Sequence, residues 1–534
     1  MNPAQLLSHF DRISEAPDAI TRLRRFILDL AVRGKLVEQD LRDEPASELL
    51  KRIKAERARL VKGGEKKKEL LPELSDEERP FELPHGWCLV RFGVIYSLEY
   101  GDNLPAEKRS NTGEYPVYGS NGIVGSHSVC FVRDPCIVVG RKGSAGALNL
   151  SVTEGCCVTD VAYYCIPSRE LDLIFSFKLF HTLGLDTLGK GIKPGLNRNE
   201  AYVLPLALPP LAEQQRIVAK VDELMALCDR LETAQTERES QRDRLAAASL
   251  HRLNNGADAD AFREHARFYF NHLPRLTTRH KHIKQLRQTI LNLAVRGQLV
   301  PQDPKDKPSP VFAIEKCAEE ENRIQLRLPL GWSWARVEDV AEARLGKMLD
   351  KAKNSGKAYR YLRNTNIHWF DVRMDELKDL RIEVNEVEKY VLRNGDVLIC
   401  EGGHGIGRTA VWRGMETNII FQKALHRVRP GQALNSEFFA YCVCVYFHAG
   451  VLQSYFTGVG IPHFTGVALS KLVFPLPPIK EQHRIVAKVE ELMALCDRLE
   501  AQLTTTQTES RRLLEAVLHE AISVCSGLKQ VSSL

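Results

Sequence analysis

The chain has 534 residues, more than one hydrophobic core serves, so several domains are expected, and its 44% hydrophobic and 27% charged residues are those of a globular protein. A formal charge of +6 permits nucleic-acid binding without demanding it. No apolar run reaches the roughly 18 residues of a membrane span, the N-terminus lacks a basic-then-apolar signal layout, and thirteen cysteines without a CxxC exclude zinc-finger spacing, so a cytoplasmic protein with reduced, mostly buried thiols is expected.

From Ala19 to Gly34, Ile20, Leu23, Ile27, Leu30 and Ala31 recur at helical spacing and end at a glycine that suits a helix stop. A charged helix, ELLKRIKAERARL, follows from Glu48, and Lys62 to Arg79 reads as a solvated polar linker. Between Trp87 and Pro209, short β-branched and aromatic runs broken by Gly, Asn and Pro predict a mixed, sheet-containing domain, with YPVYGSNGIVGSH and CIVVGRKGSAGALNL inside it. Paired prolines and Glu213 then open a helix, with Ile217, Val221, Leu224, Cys228 and Leu231 spaced as a coiled-coil seam. No stop signal intervenes before Asn254, so this helix spans about 40 residues, or about 60 Å.

The second half repeats the first. ILDLAVRGKLVEQD from Ile27 returns as ILNLAVRGQLVPQD from Ile290, with 11 of 14 positions identical. A looser charged helix, IEKCAEEENRI, follows from Ile314, and LPHGW from Leu83 returns as LPLGW from Leu328. A second mixed domain runs from Trp332 to Pro477, with GDVLICEGGHGIGRTAVW inside it, and LPPLAEQQRIVAKVDELMALCDRLE from Leu208 returns from Leu476 with 21 of 25 positions identical. The second long helix carries the seam Ile485, Val489, Leu492, Cys496, Leu499 and Leu503 and shows no stop before Ile522. The linker lengthens the first half by 18 residues, because the repeat offset falls from 263 to 245 across it. The frame is nearly constant while the domains it carries have diverged almost past alignment, an arrangement suited to two-part recognition.

These blocks, in the same order twice, resemble the specificity subunits of type I restriction-modification enzymes over essentially the whole chain. The resemblance implies an α+β fold with an internal two-fold repeat: two mixed α/β target recognition domains joined by two long antiparallel coiled-coil helices. The division becomes 1–82 (N-terminal helical region and linker), 83–207 (first recognition domain), 208–327 (central region with the long helix and the repeated N-terminal helix), 328–475 (second recognition domain) and 476–534 (C-terminal long helix). It implies binding of a split, asymmetric double-stranded DNA target, one half-site per domain. The implied partners are two modification (methyltransferase) subunits and two restriction (motor and nuclease) subunits, with no membrane. No cofactor is expected in this chain; the partner subunits are implied to use S-adenosylmethionine, ATP and Mg2+. Two other readings stand beside it: a coiled-coil scaffold with two protein-binding domains, and a free-standing DNA-modifying enzyme with an unrecognised site.

Motifs for chemistry are missing. Asn2-Pro3 is followed by alanine, unlike the NPPY of amino-methyltransferases, and neither GRKGSAG from Gly140 nor GGHGIG from Gly402 fits GxxxxGK[ST]. No catalytic residue and no metal site are expected. Arg and Lys bond guanine edges or phosphates, and Asn and Gln bond adenine edges, which selects candidate DNA contacts. In the first domain these are Tyr118, Ser120, Asn121, Arg141, Lys142, Lys190, Lys193 and Asn197; in the second they are Arg360, Arg363, Asn364, Asn366, His368, His404, Arg408, Lys423 and His463. The stretches GKGIKPGLN and TGVGIPHF hold equivalent places before each long helix. Gln214, Arg216, Gln482 and Arg484, in the first turns of the long helices, are candidates for docking the methyltransferase, with capping and plain solvent exposure an equal alternative. Two copies of a fragment ending near Asn255 would hold one full repeat each and are expected to pair.

Overall fold

The computed structural model describes residues 16, 18–62, 74, 78, 81–189, 195–254, 259–312, 328–350, 355–414, 416–458, 460 and 462–527. Most of the 62–79 linker, Lys190, Lys193 and the segment 314–324 lie outside the described residues. The main helices are α1 (Ala19–Val32), α2 (Ala46–Lys62), α3 (Leu173–Phe180), α4 (Leu211–Asn254), α5 (Ala259–Asn271), α6 (His280–Val295), α7 (Ser436–His448) and α8 (Ile479–Gly527). With 44 and 49 residues, α4 and α8 are as long as the missing stop signals require. Gly34 takes φ +65 after α1 and Gly297 takes φ +68 after α6, the left-handed turn that ends a helix.

The chain divides into two compact units, residues 1–238 with 506–534, and residues 239–505. Each unit takes a segment from both long helices.

In the first unit, β1 (Cys88–Arg91) enters the sheet-containing domain and pairs antiparallel with β9 (Pro205–Leu208), which leaves it, in the register Cys88↔Leu208. Between them lie β2 (Glu99–Tyr100), β3 (Tyr115–Gly119), β4 (Gly122–His127), β5 (Cys136–Gly140), β6 (Leu148–Ser151), β7 (Cys157–Val158) and β8 (Ala162–Cys165). They form a four-stranded sheet, β2-β8-β5-β6, and a three-stranded sheet, β4-β3-β7, in which β3 and β7 run parallel. One core joins Ile27 and Ala31 of α1, Leu49 and Ile53 of α2, Phe92, Tyr96, Phe175 and Phe180 of the domain, and Ile217, Val221 and Cys228 of α4. The α4 seam therefore shares its core with the short helix α1, and the Cys228 thiol is a buried filler.

In the second unit, β10 (Ser333–Arg336) and β20 (Val473–Leu476) form the matching pair, Ser333↔Leu476. They enclose β11 (Ala341–Leu345), β12 (Lys357–Leu362), β13 (Ile367–His368), β14 (Asp371–Val372), β15 (Lys378–Ile382), β16 (Val397–Cys400), β17 (Thr409–Val411), β18 (Ile420–Phe421) and β19 (Leu425–Pro430). The sheets are β11-β19-β16-β17 and β15-β12-β18, again with one parallel pair, β12 and β18, while β13 and β14 add a small hairpin. Strand by strand this is the order of the first domain. Ile485, Val489 and Cys496 of α8 lie in one core with Ile283, Leu286 and Ile290 of α6 and with the apolar helix α7.

Candidate nucleic-acid interface

The frame repeats at the level of single hydrogen bonds. Gln39 donates to Gly34 O at 2.7 Å and to Glu213 Oε1 at 3.3 Å, as Gln302 does to Gly297 O at 2.7 Å and to Glu481 Oε1 at 3.2 Å. Trp87, which opens the first domain, donates its indole N–H to Glu213 at 2.9 Å. Both carboxyls are buried, and that burial pushes their pKa values up against the pull of these donors. Arg24 pairs with Asp229 at 2.6 Å and Glu232 at 2.7 Å, and Arg287 pairs with Asp497 at 2.7 Å and Glu500 at 2.8 Å.

The four docking candidates belong to this frame. Gln214 is fully buried, donates to Pro209 O at 3.0 Å and accepts from Asp172 N at 3.3 Å. Gln482 is fully buried too, donating to Pro477 O at 2.8 Å and Ala433 O at 2.9 Å and accepting from Asn435 N at 2.7 Å. Both glutamines tie the long helix to the start of α3 or α7 and present no surface to a partner. Arg216 bonds Asp43 and Arg484 bonds Asp306, at 2.5 and 2.6 Å, each remaining about one third exposed. Neither the capping role nor an open docking role describes the glutamines; they are internal ties.

Side-chain identity did not align the two sheet-containing domains, but their main-chain hydrogen bonds do. Arg141 N donates to Val161 O at 2.9 Å and Glu401 N to Ala424 O at 2.9 Å; Leu196 N donates to Arg141 O at 2.9 Å and Phe464 N to Glu401 O at 2.7 Å. Asp102 N donates to Val158 O and Lys347 N to Phe421 O, with parallel bridges Asp102↔Thr159 and Lys347↔Gln422. The glycine before each of these residues admits no side chain: a Cβ on Gly101 would lie 2.2 Å from Thr159 O, and one on Gly346 would lie 2.1 Å from Gln422 O. Lys142 bridges Gly195 where Gly402 bridges His463, so Gly195-Leu196 and His463-Phe464, at the ends of these two stretches, hold equivalent places. At three equivalent positions the charge is reversed: Arg141, Asp160 and Asp102 in the first domain are Glu401, Lys423 and Lys347 in the second.

In the first domain, the guanidinium of Arg141 lies 4.7 Å from the Tyr100 ring centre and 5.7 Å from that of Tyr163, and Arg198 lies 4.6 Å from Tyr100. Arg141 donates to Asp160 O at 2.9 Å and Arg198 to Leu98 O at 2.9 Å, so both cations are held in place, and the Tyr100 between them is 48% exposed. Lys142, 3.7 Å from Asp160, is exposed beside them. Tyr100 and Arg198 were missed by sequence reasoning because they flank the glycine loop from β2 and from the helical turn after Asn197; an Arg within a few residues of GKGIKPGLN was the available signal. Asn121 stands exposed at the β3–β4 turn. Ser120 is used internally, its Oγ accepting from Ser144 N at 3.2 Å, and Asn197 caps Asn199 N at 3.0 Å. Tyr118 is corrected: only 6% exposed, it fills the outer core with Val138 and Val158, and its hydroxyl reaches Leu150 O.

In the second domain, Asn364, the 402–408 loop and His463 come together. A Cβ on Gly403 would lie 3.5 Å from Asn364 Nδ2, Arg408 folds back over Gly405, and His463 Nδ1 lies 3.1 Å from Glu401 Oε1. His404 occupies the Gly403–Gly405 turn, and Lys423 is exposed next to the main-chain bond from its own N–H to Lys347 O. Arg360 lies apart, paired with Glu416 at 2.8 Å, and Arg363 donates to Glu376 O at 2.9 Å. His368 pairs with Asp371 across the β13–β14 hairpin. Asn366 is a second correction: 3% exposed, it accepts from Arg363 N and donates to Arg373 O and Asp375 O, so every contact it makes is spent on shaping its loop.

Among the described residues no group of three or more His, Cys, Asp or Glu side chains is arranged to hold a metal. A family profile described as type I restriction modification DNA specificity domain matches residues 329–506. The chain is 30% identical over 568 residues to the type I restriction enzyme EcoAI specificity subunit of Escherichia coli, covering 94% of each chain. It is 27% identical to the EcoEI specificity subunit of Escherichia coli, again over 94% of each, and 22% identical to the EcoKI specificity subunit of Escherichia coli strain K12, over 82% of this chain and 89% of that one. With a relative of this identity matched almost end to end, the chain belongs to the family of type I restriction enzyme specificity subunits.

Proposed function

We propose that the chain is the DNA sequence-specificity subunit of a type I restriction-modification complex and reads a split, asymmetric double-stranded target, one half-site per recognition domain. The observation that carries this reading is the reversed charge at Arg141/Glu401, Asp160/Lys423 and Asp102/Lys347 on one shared backbone, held in one repeated frame. Equal frames give each domain the same approach to a duplex, and opposite charges make the two ask for different bases and phosphates. The chain itself performs no chemistry. It directs methylation and cleavage by modification and restriction subunits, two of each, which bring S-adenosylmethionine, ATP and Mg2+.

Contacts on the first half-site fall to Arg141, Lys142, Arg198, Tyr100 and Asn121, and on the second to Lys423, His463, Arg408, His404 and Asn364. In this reading the long helices α4 and α8 serve as the antiparallel spacer that fixes the distance between half-sites. We take 83–207 and 328–475 as the two recognition domains, a division supported by the antiparallel pairing of β1 with β9 and of β10 with β20. Mapping methylated bases after reconstitution with the modification subunit tests the reading: a two-part asymmetric sequence with a fixed gap is expected, and methylation without sequence preference would overturn it.

A further inference from the structure

The two repeats differ reciprocally at one place. Aligning Ile20 with Ile283 and Leu23 with Leu286 makes Asp18 the counterpart of Lys281 and Ala19 that of His282; aligning Ile217 with Ile485 makes Asp243 the counterpart of Arg511 and Ala246 that of Leu514. In the first unit, Asp18 at the start of α1 faces Arg511 of α8 at 3.7 Å, and Ala19 and Leu514 share a small core with Ala16 and Val517. In the second unit, Asp243 of α4 pairs with Lys281, bonds His282 Nε2 at 2.7 Å and lies 3.5 Å from Arg279, while His282 and Ala246 are both fully buried. Thus an acid and a small residue on one short helix meet a base and a large residue on the long helix, and in the other unit the roles are exchanged. The Arg24 and Arg287 pairs join helices of the same repeat and do not discriminate.

We infer that this exchange makes each short helix selective for the long helix of the other repeat, and so keeps a second copy of this chain from pairing like repeat with like. Two first repeats set Asp18 against Asp243 and Ala19 against Ala246, a like-charge contact over a void. Two second repeats set Lys281 against Arg511 and His282 against Leu514, a like-charge contact over an overlap. Near-identity of the frame alone suggests that fragments ending near Asn255 pair with themselves; the Asp18 and Asp243 carboxylates oppose it. The inference is independent of what the recognition domains bind.

The test uses the full chain. Two differently tagged preparations are unfolded together in urea, refolded as a mixture, and read by co-capture of the tags and by light scattering. Wild type is expected to return as monomer with little co-capture. In D18K/K281D the new lysine faces Arg511 and the new aspartate faces Asp243, which keeps only Arg279 and His282, while both like-repeat junctions become opposite in charge, so the co-captured dimer should rise roughly tenfold or more, four junctions each contributing a few-fold. D18K/R511D keeps opposite charges in the native pairing while also permitting like-repeat pairing; it folds on its native contacts and should still co-capture above wild type. Co-capture by both variants no greater than wild type, or free mixing of wild type itself, would overturn the inference.

Discussion

Trp87 and Glu213, 126 residues apart, meet in a buried hydrogen bond of 2.9 Å that fastens the residue before β1 to the first turn of α4. Trp87→Phe removes the donor and leaves the carboxylate with Gln39 alone at 3.3 Å. A loss of about 1–3 kcal/mol is expected, measured as a shift in the urea midpoint of the whole chain. An unshifted midpoint would show that the bond is incidental.

Burial raises the Glu213 and Glu481 carboxyls above their ordinary range. A carboxyl whose folded pKa exceeds its unfolded one stabilises the fold below the unfolded value and loses that contribution as pH rises through the folded value. Stability should therefore carry a component that declines from about pH 4.5 upward. Glu213→Gln with Glu481→Gln should remove it, which thermal unfolding across pH would record as a flatter profile.

Tyr100, Arg141 and Arg198 form one surface on the first domain. Arg141→Ala should cost the complex about 1–3 kcal/mol of DNA binding and relax preference at the first half-site only, with Lys423→Ala doing the same at the second. Competition binding with each half-site randomised in turn separates the two effects.

The frame was legible in the sequence because its contacts are side-chain contacts. Ile27, Ile217 and Val221 announce their core by spacing, and Gly34 its left-handed turn. The recognition domains share a fold through main-chain bonds such as Arg141 N to Val161 O and Glu401 N to Ala424 O, which constrain no side chain except the glycines that precede Asp102 and Lys347. Their residues were free to diverge, even to reverse charge, so a letter-by-letter comparison fails there. Burial was the other hidden quantity: Tyr118, Asn366, Gln214 and Gln482 all look like contact residues until their neighbours are placed.

The long helices should set the gap between half-sites. Four residues inserted after Glu232 and after Glu500 fall beyond the Arg24 and Arg287 pairs and add about 6 Å at ~1.5 Å per residue while nearly preserving the helix face. The preferred gap should grow by one or two base pairs at about 3.4 Å each. Methylation at an unchanged gap by an active complex would mean that something else measures the distance.

The paired strands β1 and β9 make residues 92–204 an insert in the frame. The most direct test replaces that insert with the corresponding segment of another specificity subunit and maps methylated bases after assembly with the modification subunits. One half of the target should change while the other half and the gap stay as they were. A change in both halves, or in neither, would contradict a chain in which each domain reads its own half-site.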